Sequence, residues 1–184
     1  MLERFKVPKE DEVRVPHESL HETVTAIFEK MGVPGEDAAE GADVLVATDL
    51  RGVETHGVSN MLRRYVELYN EGALNPAPVL KIVREYPGTA TIDADRGLGI
   101  MVGRRAMQIA IDKARDVGFG AVTMYNSSHM GAIGHFAMLA AQQDMVGICA
   151  VGPGAGTVPT FAAEQRFGKR NMAIGSGNCF AASG

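Results

Sequence analysis

Apolar residues recur along the first third of the chain at the three-to-four-residue spacing that turns one helical face toward a core. Leu20, Val24, Ile27, Phe28 and Met31 form the first such stripe, and Gly32 follows where a helix can close in a left-handed residue. Pro34-Gly35 interrupt the pattern before an Ala-rich stretch, 36–50, that carries Ala38, Ala42, Leu45 and Val46, so the two segments predict a helical hairpin. A third helix is predicted from about Val58 to Tyr69, burying Met61, Leu62, Tyr65 and Leu68. Gly72 then ends it, and Pro76 and Pro78 stiffen the connector. This connector divides the chain into a helical region, 1–75, and a second region, 76–184.

The pattern changes past the connector. Residues 79–83 (VLKIV) and 89–93 (TATID) are short β-like runs flanking Tyr86-Pro87-Gly88-Thr89, which reads as the turn of a hairpin. A helix over 100–117 follows, with Met101, Met107, Ile111 and Ala114 on its apolar face and Gly118 as its cap. Strand 120–125, helix 132–143 and strand 145–151 complete a second round. Alternation of strand and helix predicts an α/β fold with parallel strands. The apolar runs 120–125 and 145–151 resemble buried members of a larger sheet, which need cover on both faces. Few later elements could supply it, so the 184 residues by themselves are expected to associate through exposed apolar surface and not to catalyse.

Composition narrows the classes. An apolar fraction of 46% with 22% charge supports a packed core. Eighteen basic against 22 acidic residues, without a run of Lys or Arg, leave no footprint for nucleic acid or an anionic membrane, and neither partner is expected. The N-terminus MLERFKVPKEDEV is too charged for a signal peptide, and no stretch approaches the roughly 20 apolar residues of a membrane span, so a cytoplasmic location is expected. Cys149 and Cys179 lack the paired spacing of a zinc site and read as packing residues.

Two glycine clusters invite a nucleotide reading. Gly97, Gly99 and Gly103 follow a predicted strand and open a helix, yet their spacing is G-x-G-x-x-x-G rather than the G-x-G-x-x-G of a Rossmann fingerprint, which favours a tight turn into a close-packed helix. Gly152-Pro153-Gly154-Ala155-Gly156-Thr157 lacks the Lys-Ser/Thr end of a phosphate loop, but its place after an apolar strand is where open α/β sheets bind ligands.

Two histidines stand in polar, Gly-bounded loops suited to proton transfer near neutral pH. His56 lies in Asp49-Leu50-Arg51-Gly52-Val53-Glu54-Thr55-His56-Gly57, at the start of the third helix. His129 lies in Asn126-Ser127-Ser128-His129-Met130-Gly131-Ala132, directly after a predicted strand. His135 is expected buried or capping in its helix, and its spacing from His129 is not that of a metal pair, so no metal is expected. Ser127 and Ser128 lack the G-x-S-x-G elbow, which leaves a serine hydrolase as a distant alternative. His17 and His21 have no chemical companion in the sequence.

The segments 49–57 and 126–132 and the G-x-G helix start at 97–99 together resemble the malate/L-lactate dehydrogenase-like family, in its order and spacing, from about residue 13 to 168. The family includes ureidoglycolate, sulfolactate and diketogulonate enzymes and reductases of cyclic imines. The resemblance implies an N-terminal helical region and a non-Rossmann NAD(P)-binding α/β domain, a homodimer at full length, and hydride transfer between NAD or NADP and a small 2-hydroxy or 2-oxo acid such as malate or lactate. His56 and His129 match the family's acid/base candidates, with Thr55 beside the substrate. Ser128, Gly131, Gly134, Gly152, Gly168 and Asn171 are the cofactor-side residues it points to. Two departures stand out. Family members often carry Arg four residues after the first histidine, where this chain has Asn60, an amide without the charge or fork of a guanidinium. Arg63, about two helical turns from His56, is the expected replacement. Where the family has a Gly-Thr-Asn-Pro-like loop, this chain has Gly168-Lys169-Arg170-Asn171-Met172, and about half of a full-length member is missing beyond it. A non-catalytic truncated fragment or interaction module is therefore the alternative reading.

Overall fold

The computed structural model describes Glu10, residues 13–152 and the backbone of 171–175. Three helices come first: α1 (His17–Lys30), α2 (Gly35–Leu50) and α3 (Val58–Asn70), with a short 3₁₀ turn at Glu54–His56 between the last two. Gly32 and Gly72 both adopt positive φ, as helix-closing glycines should, and Pro34 caps the start of α2. The α2 face predicted from alanines is the most buried surface of this region: Ala38, Gly41, Ala42, Val44, Leu45, Val46 and Thr48 are all inside. Small residues let neighbours approach, and a Cβ on Gly41 would lie 2.7 Å from Met101 Cε.

The second region opens with β1 (Lys81–Tyr86) and β2 (Thr89–Gly97), an antiparallel hairpin around Pro87-Gly88. Helix α4 (Gly99–Val117) returns the chain to β3 (Ala121–Ser127), which pairs parallel to β2 and completes a sheet in the order β1-β2-β3. Helix α5 (Gly134–Ala141) precedes β4 (Gly147–Val151), whose partner is β5 (Asn171–Gly175) in a separate antiparallel pair. The mixed α/β architecture and the parallel strand pair thus agree with the sequence pattern. The Gly97, Gly99 and Gly103 cluster makes close contacts, as its spacing suggested. A Cβ on Gly99 would come within 2.6 Å of the Ser128 and His129 carbonyl oxygens, and one on Gly103 within 2.7 Å of the Phe136 ring.

Several expectations are corrected. Helix α5 is shorter than 132–143, because residues before Gly134 turn rather than continue the helix. Strand 145–151 does not join the larger sheet; its backbone bonds go to β5. The exposed apolar surface and unpaired edge expected of these strands are present among the described residues: β3 pairs with β2 alone, and Tyr125 of β3 and Ile148 of β4 are exposed. His21 does have a companion, Asp43 of α2, at 2.9 Å. His135 is half-buried with Nε2 3.7 Å from the Glu40 carboxylate, and Cys149 is partly buried against the core. Cys179 lies outside the described residues.

A continuous apolar cluster holds these parts together. Phe28, Leu45 and Tyr65 from the three helices meet Ile100 of α4 and Phe136 of α5, all with at most 1% of their surface exposed. Because α3 and the segment after β3 both pack on this cluster, residues far apart in sequence reach one place.

Candidate functional site

The start of α3 is built by a carboxylate from the preceding helix. The residue before α3 is Gly57, which has no side chain to cap it; instead the Asp49 carboxylate, at the end of α2, accepts the Val58 N–H at 2.9 Å. That satisfies one of the orphan donors of a helix N-terminus and sets negative charge against its dipole. Gly57 is required for it, since a Cβ there would fall 1.6 Å from Asp49 Oδ1. Burial raises the Asp49 carboxyl above its ordinary value, opposed by the Val58 bond and reinforced by nearby Glu54. The turn so anchored holds His56 half-buried just ahead of the helix.

The second histidine comes from the loop after β3. At its base the backbone is unusual: Asn126 on β3 and Asp95 and Arg96 on β2 all have positive φ. The ladder runs Asp93↔Tyr125 and then Gly97↔Ser127, so β2 carries a bulge opposite Asn126. Asn126 and Asp93 close it with a 2.8 Å side-chain bond. This re-aims the chain at the carboxyl ends of two parallel strands, the place where α/β sheets present functional loops. Ser128, His129 and Gly131 follow, with Gly131 at φ 62° and its Cβ position 2.8 Å from Ile100.

The fold brings the two histidines together. Their rings stack with centroids 5.4 Å apart and planes 19° from parallel. The surroundings differ sharply. His56 Nδ1 lies 2.9 Å from the hydroxyl of its neighbour Thr55. His129 Nδ1 lies 2.7 Å from the hydroxyl of Tyr65, a fully buried residue on α3, and 3.3 Å from the Gly131 N–H. Burial pushes the Tyr65 phenol well up, so it stays protonated. Desolvation lowers the His129 pKa from its ordinary value, and the neighbouring His56 lowers it further.

The other residues expected at the site divide. Thr55 is in place against His56. Asn60, exposed on the first turn of α3, donates to the Glu54 carbonyl at 2.7 Å and to Ser59 at 3.3 Å. Arg63 is not turned toward the histidines: its side chain is 90% exposed and pairs with Glu67 at 3.2 Å. Ser128 is half-buried and Gly134 opens α5. Gly152, just past β4, has open space around its Cβ position. Asn171 pairs with Val151 through the backbone at the start of β5, and Gly168 lies outside the described residues.

Sequence reasoning placed Tyr65 in the core and missed its hydroxyl, whose partner is 64 residues away. A tyrosine rather than a phenylalanine on an otherwise apolar helical stripe is the signal that was available, because a buried phenol needs a partner. Asp49 was read only as part of the His56 loop, and its capping bond spans nine residues.

Beside Ser127 and Ser128 a cavity of about 260 Å³ is lined by Leu68, Leu74, Arg96 and Asn126 among others. A larger one, about 390 Å³, lies away from the histidines between α1 and α2, around His21 and Asp43. Among the described residues no group of three His, Cys, Asp or Glu is placed to hold a metal ion, and no helix is long and apolar enough to cross a membrane.

Comparison with known proteins gives this geometry a context. A family model described as malate/L-lactate dehydrogenase matches residues 15–178. The malate dehydrogenase of Pyrococcus horikoshii is 42% identical over 165 residues, which is 90% of this chain and 46% of that protein. The L-sulfolactate dehydrogenase of Methanocaldococcus jannaschii is 40% identical over 157 residues, 85% of this chain and 45% of that one. Among solved structures, the P. horikoshii malate dehydrogenase superposes with a TM-score of 0.87 at 41% identity, covering 96% of this chain and 50% of that chain. The chain spans about half the length of the curated relatives it matches.

Proposed function

Because the chain belongs to the malate/L-lactate dehydrogenase family, we propose that it supplies the acid/base half of a hydroxy-acid dehydrogenase, which moves a hydride between NAD or NADP and a small 2-hydroxy or 2-oxo acid such as malate or lactate. The observation that carries this reading is the stacked pair His56 and His129, drawn from two distant segments and set at the carboxyl end of a parallel strand. Hydride addition to a ketone builds negative charge on oxygen, which a positioned imidazolium can protonate; a neutral imidazole takes the proton back when the alcohol is oxidised.

The residues present fit a nicotinamide cofactor. The ring nitrogens of the histidines meet hydroxyls and a backbone N–H and pair with no carboxylate among the described residues, and the short side chains of Ser127 and Ser128 directly precede the exposed His129 in the chain. Ser128, Gly131, Gly134 and Gly152 would hold it, with Gly168 and Asn171 beyond them. The cofactor supplies or accepts the hydride when bound. Thr55 orients His56. Asn60 donates toward the substrate carboxylate, and Arg63 leaves Glu67 to supply the missing positive charge. The complete enzyme works as a cytoplasmic homodimer.

A cofactor-dependent change in absorbance with malate, lactate or their 2-oxo acids tests this, measured on a protein that carries the full length of the relatives. Turnover lowered in both single histidine variants supports the reading. Turnover and pH profile unchanged in both would sink it. The 184 residues alone are expected to show no steady turnover with NADH or NADPH, since strands with exposed apolar faces await further cover.

A further inference from the structure

We propose that Tyr65 is a positioning residue that fixes His129 as its neutral Nε2–H tautomer, a stationary hydrogen-bond donor to the substrate oxygen, so that His56 alone carries the proton. The division of labour rests on the dehydrogenase reading above; the tautomer does not.

The argument starts from the donors around one nitrogen. The Gly131 backbone N–H can only donate, and it points at His129 Nδ1 from 3.3 Å. Nδ1 therefore presents its lone pair. The Tyr65 hydroxyl, 2.7 Å from the same atom, donates to it as well. A proton placed on Nδ1 would face the Gly131 N–H directly and would force the phenol to reverse. The neutral ring accordingly carries its hydrogen on Nε2, the far side from both donors. Tyr65 cannot turn away easily, because it is fully buried in the apolar cluster with Phe28 and Leu45.

His56 has no such opposition. Its ring nitrogen meets the Thr55 hydroxyl, which can donate or accept and so tolerates either protonation state. The stacked rings cannot both be charged cheaply, since like charges this close disfavour each other. The groups that meet the rings are the Tyr65 hydroxyl from α3, the Thr55 hydroxyl, the Gly131 N–H and each other; Glu54 shares the turn of His56, but no carboxylate pairs with either ring among the described residues. One proton shared between them therefore settles on His56.

The chemistry balances. In the reducing direction a bound nicotinamide cofactor would supply the hydride to the carbonyl carbon as the C=O π pair moves to oxygen, and the His56 imidazolium would give its proton to that oxygen and become neutral. The His129 Nε2–H bond holds the oxygen throughout and transfers nothing. Oxidation runs the same steps backwards.

The direct test is the two-bond ¹H–¹⁵N spectrum of the histidine-labelled 184-residue chain, taken above the histidine titrations. His129 should show the Nε2–H pattern, and Tyr65→Phe, which removes only the hydroxyl, should raise its Nδ1–H share. An Nδ1–H pattern in the parent chain overturns the proposal, as does an unchanged pattern in Tyr65→Phe. In a full-length protein, His56→Gln should lower turnover by about 10² or more and remove one limb of the pH profile. His129→Gln should cost roughly tenfold, the scale of one hydrogen bond, with the limb retained. Loss of the limb in His129→Gln instead reverses the assignment. A full-length parent without dehydrogenase activity refutes the functional reading alone, while the spectra still decide the tautomer.

Discussion

The two histidines occupy mirror-image settings in the sequence, each in a polar loop bounded by glycine and set against a helix start or a strand end. In the folded chain they are opposites. His56 is held by its immediate neighbour Thr55 and by a turn anchored on Asp49 through a bond that spans nine residues. His129 is held by a buried tyrosine 64 residues away. Local contacts leave a ring free to gain and lose a proton, whereas a long-range donor built into the core commits its partner to one state. Two residues of one type acquire different chemistry from the reach of the contacts around them.

The harshest way to break this contrast is to push the His129 loop away. Gly99→Ala should do so, because its Cβ would sit 2.6 Å from the Ser128 and His129 carbonyl oxygens, backbone atoms that cannot yield as a side-chain tip does. A loss of about 1–3 kcal/mol is expected, the range for overpacking a close-fitted site. Thermal unfolding would read it, together with a changed His129 environment.

Asp49→Ala attacks the other side and sharpens the comparison. Losing the carboxylate that caps α3 should cost about 1 kcal/mol, as N-cap removals do. The His56 resonance should move while the Tyr65 contact to His129 persists. A His129 shift as large as that of His56 would show that the two settings are not independent.

Acid should separate them more gently. The folded state holds the His129 pKa below its ordinary value, so the unfolded chain binds this proton more readily and stability falls as the pH drops below about 6.5. Chemical denaturation midpoints on either side of that value check the sign, and His129→Gln should weaken the dependence.

The smallest effect belongs to Arg63→Ala. Its exposed pair with Glu67 is worth under about 1 kcal/mol, so stability should barely change. Its Michaelis constant for a 2-oxo acid in the full-length protein should rise if the guanidinium clamps the carboxylate. No rise would return Arg63 to the solvated face of α3.

Helical periodicity and glycine punctuation made much of this fold legible. Stripes such as Val24 and Phe28, and the caps Gly32, Gly72 and Gly118, are local signals, and all three glycines have the positive φ expected. The hairpin around Pro87-Gly88 and both histidine loops were equally local. What escaped were features decided by distant partners. Strand β2 runs on to Gly97 through left-handed Asp95 and Arg96, a bulge in which Asp93 accepts the Asp95 N–H while the distant Asn126 and Asn75 side chains donate to Asp93 and Asp95. Strand β4 turned to β5, a short segment that read as a loop because Asn171-Met172-Ala173-Ile174-Gly175 offers little alternation. Tyr65 was legible as core and illegible as a hydrogen-bond donor, since no spacing connects it to His129.

The account stands on the two rings lying face to face, and histidine titration tests that most directly. Following the ring C–H resonances of the 184-residue chain against pH, His129 should titrate below the ordinary value, and in His56→Gln its midpoint should rise once the neighbouring charge is gone. A His129 that titrates at the ordinary value and does not respond to His56→Gln would contradict the stacked pair.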